Sequence, residues 1–153
     1  MGCFTAWLGC SDVEKLLYCL VLSCFAAAAV MDLQEQCVYR YIWYLAAGFL
    51  VPILYRREIQ VWSLIGYALL QETLFSCFYG RADCHGFVAA GLFLYSVGGN
   101  FQSCIIHMGI TFLEVFVVQL CKGNINARGN LKQPVALIPY LVTALQMMLP
   151  GFV

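Results

Sequence analysis

Apolar residues come in long blocks along this chain, and polar residues come in short breaks between them. The blocks run over Leu16–Val30, Val38–Tyr55, Ile59–Tyr79, Asp83–Gly98, Phe101–Cys121 and Pro134–Leu149. The breaks are Gln34–Glu35–Gln36, Arg56–Arg57–Glu58, Gly80–Arg81 and Gly98–Gly99–Asn100, with a longer polar stretch, Lys122–Gln133, before the last block. Blocks of this length predict helices, since buried strands are about 4–8 residues long. They also approach the roughly 20 apolar residues that cross a bilayer. A helix satisfies its own backbone groups in lipid, which an open sheet cannot do. The first span is expected over about residues 14–32. Lys15 and Ala26–Ala29 imitate a signal peptide, but Asp12 and Glu14 in the leading segment and the blocks that follow argue for a transmembrane helix. The fourth block is short and carries Gly86, Ala89, Ala90 and Gly91, small residues that place a helix inside a bundle.

Composition turns this pattern into a class. Hydrophobic residues make up 63% of the 153 positions and charged residues 10%, against about 45–50% and 25% in soluble domains. Such a chain cannot cover a globule with polar surface, which excludes a water-soluble enzyme. Eight basic and eight acidic residues balance, so nothing favours nucleic acid or a polybasic lipid anchor. The expected fold is all-α: one polytopic membrane helix bundle of about six transmembrane helices over residues 1–153. Arg40, Arg81, Lys122, Arg128 and Lys132 fall on one face of that layout, and Lys15, Arg56 and Arg57 on the other. The positive-inside bias puts the first face in the cytoplasm and both termini, with Cys3 and Cys10, outside. The nine cysteines include no C-x-x-C pair, and several lie in apolar blocks as small hydrophobes. Neither a metal nor a disulfide framework is expected.

The acids inside or at the edge of the blocks are Asp32, Glu72, Asp83 and Glu114. Charge in a bilayer is expensive unless paired or wet, so each is a functional candidate. Glu72 lies beside Gln71 and has a simple role as a hydrogen-bonding group in the bundle. Glu114 lies seven residues after His107, which puts both on one helix face as a buried structural contact. Asp32 closes the first helix and Asp83 opens the fourth. Two crossings separate them, so both carboxylates return to the same membrane face. Neighbouring carboxylates share a proton and divide into one acid and one base. Such a pair can activate water and protonate a leaving amine, which is aspartic protease chemistry.

Gly80–Arg81–Ala82–Asp83–Cys84–His85 resembles the G-x-G-D-x-K motif of the type IV prepilin leader peptidases and archaeal preflagellin peptidases. Their other catalytic aspartate closes an early helix, as Asp32 does here, at a comparable separation. Gln133–Pro134–Val135–Ala136–Leu137–Ile138–Pro139–Tyr140–Leu141 is similar to the proline-containing start of that family's last helix. The likeness spans about residues 15–150. Ala82 stands in place of the second glycine, His85 in place of lysine, and Val38–Tyr39–Arg40 in place of an Ile-Pro-Asn-like segment.

The resemblance implies an intramembrane aspartic endopeptidase of the cytoplasmic membrane, with its active site on the cytoplasmic side. Its partners would be the lipid bilayer and pilin-like precursors, each a short basic leader followed by a hydrophobic helix. Asp32 and Asp83 would be catalytic and Gly80 would let the backbone turn tightly before Asp83. Arg81, Ala82 and His85 would support them, without a cofactor. The paired C-x-x-C loop of full-sized bacterial members is missing, so peptidase activity without N-methyltransferase activity is expected. Two other readings stay open: a small transporter or channel subunit using Glu72, His107 and Glu114, and an inactive assembly scaffold of the same fold.

Overall fold

The computed structural model of the chain describes residues 11–57, 59–124 and 135–148. Cys3, Cys10, Glu58, Arg128, Lys132, Gln133, Pro134 and Leu149 lie outside them. The described residues are all-helical, with α1 Asp12–Glu35, α2 Arg40–Tyr55, α3 Val61–Thr73, α4 Arg81–Ser96, α5 Phe101–Cys121 and α6 Ile138–Met148. A single 3-10 turn, Phe75–Cys77, follows α3.

The local sequence accounts for several of these ends. Ser11 caps α1 reciprocally: its hydroxyl accepts the Glu14 N–H and its own N–H bonds to the Glu14 carboxylate. Gln36, in the left-handed region at φ 50°, closes the same helix by donating its N–H to the Asp32 carbonyl at 3.1 Å. Gly98, at φ +92°, makes the reversal between α4 and α5, and Asn100 and Ser103 form a reciprocal cap for α5.

Two expected boundaries move. The third block was read as helical to Tyr79, but α3 stops at Thr73. The aromatic residues after it, Phe75, Phe78 and Tyr79, surround a turn instead. The last block was read as helical from Pro134, but 135–137 is non-helical and α6 begins at Ile138. Pro139 offers no N–H to the carbonyl four residues upstream and its ring crowds that carbonyl, so a helix begins at most a residue or so before it.

Among the described helices α4 is central, packing against α2, α3, α5 and α6. Its small residues permit this. A Cβ at Gly91 would meet Tyr67 Cε1 at 2.8 Å, and one at Gly86 would meet Ile138 Cδ1 at 3.0 Å. Around α4, Tyr18, Phe25, Phe93 and Trp43 form an edge-to-face cluster. The Tyr18 hydroxyl donates to the Ser96 carbonyl at 2.9 Å, joining α1 to the end of α4. α1 and α5 are long and apolar enough to cross a membrane by length and composition, while α2 and α6 are apolar but shorter. Large apolar side chains of α1, α2, α3 and α5 are exposed around the bundle.

The close approach at Gly91 yields a differential test. Gly→Ala inside a helix gains about 1 kcal/mol of intrinsic propensity. Gly109→Ala in α5, where a Cβ meets nothing within 4 Å, should keep that gain. Gly91→Ala should instead lose about 1–3 kcal/mol to overpacking against the buried Tyr67 ring. Unfolding of both variants in detergent micelles measures the difference.

Candidate active site

Asp83 is the third residue of α4, after Gly80 as N-cap. Its carboxylate lies beside the Gly80 backbone, which favours its charge, and its own N–H donates to the Gly80 carbonyl at 3.0 Å. An acid in this first turn also complements the positive end of α4. Gly80 does not make the tight turn expected of it. It is extended at φ −62°, ψ 151°, a conformation open to any residue, and what its missing side chain leaves is room beside Asp83 Oδ2.

Asp32 lies in the last turns of α1 and is 7% exposed. Its Oδ2 accepts the Ile138 N–H at 2.8 Å, and the Leu137 backbone lies close enough to favour its charge. Asp32 therefore caps α6 from another helix, satisfying a donor that a helix N-terminus leaves without an intrahelical partner.

Both aspartates thus sit at helix N-termini at one end of the bundle. The charge of Asp32 acts directly on Asp83. Leu137 links them, because it immediately precedes the Ile138 N–H that holds Asp32 and borders the cavity that Asp83 also borders. That cavity, of about 580 Å³, is bordered by Phe75, Phe78, Tyr79, Phe112, Val115 and Val135 as well. It combines one carboxylate with an aromatic and aliphatic wall. The Tyr79 phenol, bonded to the buried Gln71 amide, is held in this wall.

The other expected site residues lie away from it. Arg81 is exposed at the start of α4, and Ala82 is half-buried beside it. His85 turns toward α3 and α2, with Nε2 3.5 Å from Glu72 Oε1 and its ring edge-on to Tyr44. His107 and Glu114 do not meet as expected; each reaches α6. His107 Nε2 lies 2.9 Å from the Leu141 carbonyl oxygen, and Glu114 accepts from the Thr143 hydroxyl. Glu72, His107 and Glu114 therefore have three separate sets of partners. No group of three or more potential metal ligands occurs among the described residues.

Sequence reasoning missed the cavity wall and the backbone donor of Ile138. The cluster Phe75–Phe78–Tyr79 immediately before Gly80 was a readable sign of the wall. A hydrogen bond spanning 106 positions had no local sign. No protein family, curated protein or solved structure matches the chain.

The capping role of Asp32 predicts a stability effect separate from any chemistry. Asp32→Ala orphans the buried Ile138 N–H and should cost about 1–3 kcal/mol. Asp32→Asn keeps an acceptor oxygen and should cost clearly less. Chemical unfolding in micelles, followed by far-ultraviolet circular dichroism, reads both.

Proposed function

We propose that the chain is a single-domain intramembrane aspartic endopeptidase of the prepilin peptidase type. It would cleave the leader from pilin-like precursors at the cytoplasmic membrane face. The observation that carries this reading is the placement of Asp32 and Asp83 at one end of the bundle, electrostatically coupled, with Asp83 in the wall of an apolar cavity. In this reading the pair shares one proton. The ionised carboxylate takes a proton from water as that water attacks the scissile carbonyl, and the protonated partner gives its proton to the departing amine. A cavity with one acidic wall and otherwise aromatic lining suits a substrate whose cleavage site adjoins a hydrophobic helix. Gly80 and Ala82 then serve by being small, while Arg81 at the rim and His85 beside Glu72 are supporting residues.

The membrane setting belongs to the same proposal. All six helices would lie in the bilayer, with α1 and α5 crossing it outright. Tyr55 and Trp62, 91% and 85% exposed, would mark the outer interface, and Tyr39, Tyr41 and Tyr44 the cytoplasmic one. Aromatic residues favour both interfaces. The 16 residues of α2 between these groups rise about 24 Å, slightly less than the roughly 30 Å hydrocarbon thickness.

Co-expression with a pilin-like precursor tests the chemistry by gel shift. Asp32→Asn and Asp83→Asn should each abolish cleavage, and the double variant should be no worse, because residues acting as a unit lose activity non-additively. Glu72→Gln and Glu114→Gln should retain substantial activity. Near wild-type cleavage by either Asp→Asn variant ends the proposal.

Sidedness is read by impermeant thiol labelling of intact cells. Variants keeping only the exposed Cys37 or Cys121 should label after permeabilisation and not before. Labelling of either in intact cells reverses the orientation.

A further inference from the structure

The backbone entering α6 carries the next inference, which rests on the peptidase reading. Residues 135–137 are non-helical and run between two cavities. Val135 and Leu137 border the cavity beside Asp83. Ala136 borders a second cavity of about 620 Å³, which Val135 also reaches, together with Gln119, Tyr140 and Thr143. The segment between the cavities is neither helical nor part of a sheet.

The peptide groups of this short segment are unequally used. That of Ile138 donates to Asp32, and the Leu137 carbonyl accepts the Leu141 N–H at 3.2 Å. The N–H and C=O of half-buried Val135 and Ala136 make no hydrogen bond to any described residue. Buried backbone groups are nearly always paired, so an unpaired pair beside two carboxylates is a place where another backbone fits.

A substrate helix presents the complementary problem. Its scissile carbonyl is closed into an i→i−4 hydrogen bond, and a water activated by the dyad attacks it only after that turn unwinds. Unwound backbone in apolar surroundings requires new partners. We propose that Val135–Ala136 is the edge on which the scissile segment of the substrate lies as an added extended strand. Main-chain hydrogen bonds to this edge hold it, and its side chains alternate between the two cavities. Strand addition of this kind draws affinity from the backbone and selectivity from pockets for alternate side chains. The same edge is tied through Leu137 to Asp32, so the reacting carbonyl is delivered at a fixed distance from the acid pair.

The test removes the donor and keeps the side chain. Replacing Ala136 by its α-hydroxy acid turns one amide into an ester, and the same chain assembled by the same route with its natural amide at 136 is the control. A hydrogen bond made equally in the bound substrate and the transition state changes KM and leaves kcat. The ester enzyme in vesicles should therefore show KM raised about fivefold to tenfold at unchanged kcat, and the all-amide control should match wild type. Independently, a precursor labelled with carbon-13 at the scissile carbonyl, bound to Asp83→Asn with its natural backbone at 136, should report an extended amide. Unchanged KM in the ester enzyme, or a helical amide in the bound precursor, overturns the proposal while wild-type cleavage leaves the peptidase reading standing. If wild type does not cleave, the peptidase reading fails and this inference falls with it.

Discussion

The hydrogen bond from the Ile138 N–H to Asp32, 2.8 Å long, is the constraint on which the rest of the site depends. Asp32 occupies the C-terminal end of α1, where the helix dipole is unfavourable for a negative charge. No basic residue in the last turn of α1 compensates. What compensates is the N-terminus of α6, whose buried Ile138 N–H and positive dipole end face the carboxylate. The acid is misplaced for its own helix and well placed for another. A residue that breaks the local rule of its own element, and is satisfied only by tertiary structure, is the kind found at functional sites.

That one bond has architectural consequences. It joins α1 to α6 at the end of the bundle where α4 begins, and so fixes Asp32 relative to Asp83. The small residues of α4 let it occupy the centre, and the buried Tyr67 and Trp43 rings close on Gly91 and Gly86. With α4 enclosed, the apolar side chains of α1, α2, α3 and α5 point outward. A bundle that exposes this much apolar surface and buries Gln71, His107, Thr111 and Gln119 has the arrangement of polarity that the proposed membrane setting requires. Each of these four side chains makes a hydrogen bond within the bundle.

Much of this was legible in the chain and some was not. The blocks of apolar residues located every described helix, because a long apolar run bounded by polar breaks has few other solutions. The small residues of α4 located its place in the bundle. The runs misjudged α3 and α6, where aromatic residues lined a turn and where Pro139 set a later start; hydrophobicity alone does not separate a helix from an apolar turn. Asp83 at the third position of its helix follows from local rules. Asp32 as the cap of α6 does not, since its partner lies 106 positions away. Gly80 was expected to supply conformational freedom, and it supplies space. His107 and Glu114 share a helix, yet α6 offers each a nearer partner, an interaction that periodicity within one helix cannot reveal.

The central claim is that Asp32 and Asp83 form one unit that stabilises the transition state of peptide hydrolysis. Transition-state analogues bind about 10²–10⁸-fold more tightly than substrates. A pilin-leader peptide with a hydroxyethylene group in place of the scissile amide carries the hydroxyl that such a dyad grips. Calorimetric titration of the purified protein in nanodiscs with this peptide is the most direct measurement. The account predicts binding at least about 100-fold tighter than that of the parent peptide, and loss of that advantage when either aspartate becomes asparagine. Equal affinity for the two peptides, or an advantage that survives both substitutions, would contradict it.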